Sequence, residues 1–253
     1  MEHWELLFFF FGIAILYSSV GFGGGSSYLA ILALYGIDYR LLRAIALLCN
    51  ITVVSSGAYI FYKKGFLKWR KILPLVLVSV PMAYLGGSLQ ISQQTFFILL
   101  SFALIIAALL MLLQSLKTSL KEDFNQTKPT KNIFNAGIGG GIGFLSGMVG
   151  IGGGIFLAPV LHLLKWNGAK TIAATASFFI LVNSLSGLAG QMTHPDFHLD
   201  WQFAGMFMAA VFIGGQIGSR LGANWFSPNW VRRLTAVLIF FVGIRILLKY
   251  TIS

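Results

Sequence analysis

Two glycine runs carry the chemistry that this chain can offer. Gly21-Phe22-Gly23-Gly24-Gly25 and Gly150-Ile151-Gly152-Gly153-Gly154 each lie inside a long apolar segment, half the chain apart. Consecutive glycines break helices, at roughly 1 kcal/mol each relative to alanine in a helix interior. The residues after each run (26–35 and 155–164) read as helix again. Each run therefore places a helix N-terminus, with unpaired N–H groups and a positive partial charge, at membrane depth. Such an end binds anions without a basic side chain. The candidate donors are the backbone amides of Gly23, Gly24, Gly25, Gly152, Gly153 and Gly154. Ser26 opens the first half-helix. Asn50 and Asn183, in the apolar segments after each run, are the side chains placed to complete the site, because an amide is costly to bury unpaired.

Each of these residues also has a plainer reading. The glycines could serve close packing, and the spacings Gly139/Gly143/Gly147 and Gly214/Gly218/Gly222 are read that way, as helix–helix contacts. Ser26, Ser27, Thr52, Ser177 and Ser184 could bond within their own helices, and Cys49 reads as a packed small residue. The triple glycines differ because unwound backbone in hydrocarbon is tolerated only when it lines a cavity or is buried in protein.

The elements that must position these residues are membrane helices. Of 253 residues, 57% are hydrophobic and 10% charged, a balance that fits a multi-pass membrane protein and no soluble domain. Apolar runs cover 6–35, 41–62, 72–89, 96–113, 133–164, 172–190, 203–223 and 231–248. The unbroken runs approach the roughly 20 residues of a spanning helix, while the two glycine-broken runs are too long for one straight pass and too short for two. The net charge of +11 sits in short loops, which argues for cytoplasmic loop bias and against nucleic-acid binding. With one cysteine and no basic N-terminal region, neither a disulfide, a zinc motif nor a cleaved leader is expected.

The second half echoes the first. Besides the glycine runs, Asn50 with Gly57 matches Asn183 with Gly190, and Trp69 with Gly86 matches Trp201 with Gly218, in order and at equal spacing. The expected fold is all-α: a polytopic integral membrane protein of two inverted four-segment repeats, each starting with a glycine-broken re-entrant helix hairpin. Residues 1–116 form the first repeat, 117–132 a linker and 133–253 the second repeat. If the broken segments return to their own side, every lysine- or arginine-rich loop becomes cytoplasmic and only Arg40, Arg43, Arg245 and Lys249 remain outside. The linker 117–132 is then cytoplasmic and both termini are outside. The six tryptophans (Trp4, Trp69, Trp166, Trp201, Trp225 and Trp230) fall at segment ends, as headgroup-level rings do.

No acidic residue lies deep in an apolar run, and Arg245 is the deepest basic candidate. A carboxylate proton relay is therefore not expected, nor a membrane-embedded enzyme, which needs clustered ionisable groups. No catalytic residue, metal ligand or cofactor site is assigned. The stretch from His194 to Asp200 alternates His and Asp but reads as a solvated loop.

The element GxGGGxxxxP, complete from Gly150 to Pro159 and present from Gly21 to Ala30 with alanine in place of the proline, resembles the TauE/SafE family of sulfite exporters over essentially the whole chain. The resemblance implies a permease for a small sulfur-containing anion such as sulfite, sulfoacetate or thiosulfate, in a bacterial-type plasma (inner) membrane. The expected partners are that anionic substrate and the lipid bilayer. A coupling ion, proton or sodium, and oligomer formation are left open. A carrier of another organic anion and a non-transporting accessory subunit are the alternatives.

Overall fold

A computed structural model describes residues 4–19, 22–118, 132–221 and 228–251. Residues 119–131 of the expected linker, with Gly21, Gly222 and Trp225, lie outside the described residues. Among those described, the chain forms ten α-helices and no strand. The first five are α1 (Glu5–Ser19), α2 (Gly25–Leu34), α3 (Tyr39–Lys63), α4 (Trp69–Ser88) and α5 (Gln93–Thr118). The others are α6 (Asn132–Val149), α7 (Gly154–Leu163), α8 (Ala169–Gln191), α9 (Trp201–Leu221) and α10 (Pro228–Thr251). The apolar segments 6–35 and 133–164 are each divided at their glycine run, into α1 and α2 and into α6 and α7.

Among the described residues four helices are long and apolar enough to cross a membrane by length and composition: α3, α4, α5 (over 93–116) and α8. Large apolar side chains such as Phe8, Leu77, Phe102, Leu113 and Phe241 are half or more exposed. In water such a surface would be an interaction patch, whereas around a helical bundle it is the lipid-facing surface.

Glycine sets the closest contacts. Gly139, Gly143 and Gly147 of α6 lie on the carbonyls of Leu75, Ser79 and Ala83 of α4, so closely that an added Cβ would strike the oxygen each time. Gly86 of α4 lies on the Phe144 carbonyl in return. The second such seam joins α9 to α1, with Gly214 on the Phe11 carbonyl and Gly218 on that of Ile15. The packing role expected of these glycines is thus what the described ones have. In both seams the contacts climb in the same direction, so α4 runs parallel to α6 and α1 parallel to α9. By contrast α5 and α10 are antiparallel: Gln94 Nε2 donates to the Tyr250 carbonyl at 3.3 Å, and at the other end Arg233 Nε donates to Ser115 Oγ at 2.8 Å.

The principal pairings (α4 with α6, α5 with α10, α1 with α9, α4 with α8, α3 with α8) all join one half of the chain to the other. Exchanging the first five helices for the last five maps α4–α6 onto α1–α9 and leaves α5–α10 and α3–α8 in place; α2 lies on α3 and α10, as α7 lies on α8 and α5. The matched Gly86 and Gly218 occupy corresponding seams. The end of the bundle carrying Tyr39, Leu89 to Ser92 and Gln191 is called upper here, and the end carrying Lys63, Trp69 and Trp166 lower.

Tryptophan placement departs from expectation at one position. Trp4, Trp69, Trp201 and Trp230 are exposed at helix ends, but Trp166 is fully buried. Lys71 lies over its ring, with Nζ 5.4 Å from the centroid, and Nζ also donates to the Trp166 carbonyl at 3.4 Å. The ring fills the turn between α7 and α8 instead of meeting lipid.

Backbone-on-backbone contact leaves no side chain to yield. Gly147→Ala is expected to lower stability by about 1–3 kcal/mol. Gly137→Ala, on the same helix with nothing within 4 Å of an added Cβ, should be neutral or slightly stabilising. Thermal unfolding of the purified variants in detergent measures both.

Candidate functional site

The two glycine breaks meet. Gly24 caps α2 with φ 86°, and Gly153 caps α7 with φ 81°, both in the left-handed region that favours glycine. Gly152 and Gly150 also have positive φ, 82° and 86°. In each half the chain thus turns sharply and starts a ten-residue helix. Tyr28 stacks on Phe10 at 4.6 Å between ring centroids, and Tyr17 and Ser27 share a hydroxyl–hydroxyl bond of 2.6 Å. The start of α2 therefore lies back against α1.

Asn50 stands between the breaks, fully buried near the middle of α3. A Cβ on Gly23 would come within 2.6 Å of its Oδ1, and one on Gly25 would overlap its amide nitrogen. On the other side Nδ2 donates to the Ile151 carbonyl at 3.0 Å and would stand 2.7 Å from a Cβ on Gly152. One amide thus joins both runs. That bond orients the group, and it leaves Oδ1 as a buried acceptor without a partner. Ser184 Oγ, 2.8 Å from a Cβ on Gly152, is likewise buried and unpaired. Between the breaks lies a cavity of about 20 Å³, with Gly24, Asn50, Ile151, Gly154 and Ile180 in its lining.

Of the nine residues expected to form the site, Gly23, Gly24, Gly25, Ser26, Asn50 and Gly154 line this cavity. Gly152 touches Asn50, and Gly153 turns the chain beside them. Asn183 lies elsewhere: its Nδ2 donates to the Phe179 carbonyl at 2.8 Å and to Ser79 Oγ of α4 at 3.1 Å. The residue that faces Gly154 as Asn50 faces Gly25 is Ile180. Counting from each run instead of matching asparagines would have found it, since Asn50 follows Gly25 by nearly the same interval as Ile180 follows Gly154.

The remaining polar candidates have local roles. Asp200 accepts from the amides of Gln202 and Phe203, both at 3.0 Å, and so caps α9. Asp196 pairs with Arg40 at 3.2 Å, and His194 Nε2 lies 3.2 Å from the Gly87 carbonyl. Arg245, the deepest basic residue by sequence, is exposed, while Arg43 is buried with 3% exposure. Cys49 is a buried free thiol.

An apolar-surfaced helical bundle with two broken helices meeting at an internal polar cavity belongs to the class of multi-pass membrane transporters. The profile of the family described as "Sulfite exporter TauE/SafE" matches residues 6–246, and the chain belongs to this family. It is 34% identical over 243 residues to the "Probable membrane transporter protein y4hK" of Sinorhizobium fredii (strain NBRC 101917 / NGR234), covering 94% of this chain and 95% of that protein. It is 27% identical over 232 residues to a "Probable membrane transporter protein" of Xylella fastidiosa (strain 9a5c), covering 89% and 88%. A shorter similarity, 31% over 98 residues, links it to the "Probable membrane transporter protein YunE" of Bacillus subtilis (strain 168), covering 39% of this chain and 35% of that protein. No solved structure matches the chain.

Asn50→Ala removes the partner of the buried Ile151 carbonyl and enlarges the cavity between the runs. A loss of about 1–3 kcal/mol is expected from the orphaned acceptor. Thermal unfolding should show Asn50→Ala well below Thr52→Ala, whose hydroxyl only returns to its own helix at the Leu48 carbonyl.

Proposed function

We propose that this protein carries a small sulfur-containing oxyanion such as sulfite, sulfoacetate or thiosulfate across a bacterial plasma membrane, held at mid-depth between the two glycine breaks. The observation that carries this reading is the meeting of the breaks at one amide, Asn50 Nδ2 on the Ile151 carbonyl. The amides of Gly25 and Ser26 and of Gly154 and Ile155 open α2 and α7, ahead of the first intrahelical bonds. Two positive helix ends beside one cavity supply the charge that no lysine or arginine supplies there. The open acceptor, Asn50 Oδ1, suits a solute that bears a proton as well as a negative charge, and an amide oxygen suits a sodium ion equally. A cavity of about 20 Å³ has room for about one water. An oxyanion therefore enters only when the breaks part, which is the step alternating access requires.

The helix directions support two inverted repeats. The parallel seams and the antiparallel α5–α10 pair are consistent with α1, α3, α5 and α9 running down and α4, α6, α8 and α10 running up. The broken segments are then re-entrant hairpins, one from each side. Lys63, Lys64, Lys68, Arg70 and Lys71 at the lower end support placing that end and the linker 117–132 in the cytoplasm, with both termini outside.

Proteoliposomes loaded under an imposed proton or sodium gradient test the reading by sulfite flux. Gly24→Val and Gly153→Val place a β-branched residue at positive φ and should cut flux at least tenfold while the protein still inserts and stays monodisperse. Unchanged flux in either variant rules out the site, and flux of a small carboxylate in place of sulfite moves the substrate to organic anions.

A further inference from the structure

A second polar cavity opens at the upper end, and nothing in the reading above uses it. It encloses about 300 Å³ between the start of α3, the α4–α5 turn and the chain after α8. Tyr39, Arg43, Ile91, Gln191 and Phe197 are among its walls. Arg43 has 3% of its surface exposed, and so does Gln191. One Arg43 amino group donates to the Gly147 carbonyl at 3.3 Å, while Nε has no partner. Gln191 Nε2 is unpaired as well. Among the described residues no carboxylate meets Arg43; Asp196 and Arg40, which also line the cavity, pair with each other at 3.2 Å. The Phe96 ring lies 5.7 Å from the guanidinium carbon and covers the group without neutralising it.

A buried cation with an open donor, in a cavity lined also by a second buried open donor, is costly unless an anion completes it. We propose that this upper cavity is an anion-recognition site in which Arg43 and Gln191 hold a small oxyanion, separate from the glycine breaks. Guanidinium presents a planar fork that matches the paired oxygens of a sulfonate, sulfite or carboxylate, and it is weakly hydrated enough to work in a dry wall. The size of the cavity admits an oxyanion with a short carbon body, for which Ile91 and Phe197 provide apolar wall. The site is a neighbour of the breaks along the chain and in space. Arg43 and Asn50 are seven residues apart on α3, about 10 Å along one helix face. A Cβ on Gly150, the first glycine of the second run, would stand 3.2 Å from Arg43 Cα.

Binding to the full-length purified protein tests this, with sulfite and sulfoacetate as probes against chloride at equal ionic strength, read by calorimetry and thermal shift. Arg43→Gln should weaken binding tenfold or more and remove the anion-dependent rise in melting temperature. Arg43→Lys, which keeps charge but not the fork, should fall between, and Gln191→Leu should weaken binding at least threefold. Gly24→Val, directed at the breaks, should lose flux but keep the part of the binding that Arg43→Gln removes. Tighter binding of sulfoacetate than of sulfite assigns the site to organic oxyanions, and the reverse order to inorganic ones. Wild-type affinity in Arg43→Gln or in Gln191→Leu, or no binding of either probe above chloride, overturns the proposal. Where Arg43→Gln does not fold, Gln191→Leu decides. Binding lost in Gly24→Val but kept in Arg43→Gln defeats this site and leaves the break site standing.

Discussion

An unwound chain inside a membrane must satisfy its own polar groups, because hydrocarbon supplies no partners. Here that demand falls on Asn50. Its side chain fits where Gly23, Gly25 and Gly152 have no Cβ, and it donates to a carbonyl in the second run. The glycines and the asparagine require one another. Without the amide the Ile151 carbonyl is stranded, and with any side chain at Gly25 the amide has no room. The same requirement sets the height of the site, since Asn50 sits near the middle of a 25-residue helix and α2 and α7 start beside it.

The positions around this point rest on close backbone approach. At both seams glycine lies on carbonyl, where weak Cα–H···O contacts and dispersion replace the hydrophobic drive that is missing between helices in lipid. Because α4–α6 and α1–α9 each take one helix from either half, neither half forms its closest contacts alone. The pseudo-symmetry is therefore one of pairing as well as of sequence, and it is what brings two breaks, far apart in the chain, to a single residue.

Much of this was legible beforehand because glycine and asparagine in apolar sequence have few explanations. The helix breaks, the packing faces and Asn50 follow from residue type alone. The role of Ile180 does not, since an isoleucine in an apolar helix carries no mark, and matching Asn50 to Asn183 by type gave the wrong counterpart across the breaks. Arg43 escaped for another reason. It lies one turn inside α3, where a basic residue would ordinarily reach the headgroups, but the end of α6 and Phe96 of α5 cover the guanidinium. Trp166 is similar: the ring sits at a segment end, as the sequence implies, but the α7–α8 turn closes around it. Tertiary cover of a helix end has no local signature.

The seams also constrain any motion that admits a solute. Rocking residues 1–118 against 132–251 as two rigid bodies would slide α4 along α6 and α1 along α9. Glycine and carbonyl touch there, and no side chain can change rotamer to let them pass. Packed interfaces of this kind move as units or not at all. The bodies that can separate are therefore mixed ones, each built around a seam with a helix from either half. The compliance must lie where the backbone already occupies glycine-only conformations, at Gly24, Gly150, Gly152 and Gly153. Hinges at those positions would swing α2 and α7, each only ten residues long, relative to their seams. The two helix ends that face the cavity would be the first groups to move apart. On the proposed reading a single set of glycines would serve both to face the anion and to open the site, which would be a reason for three in a row where one would break the helix.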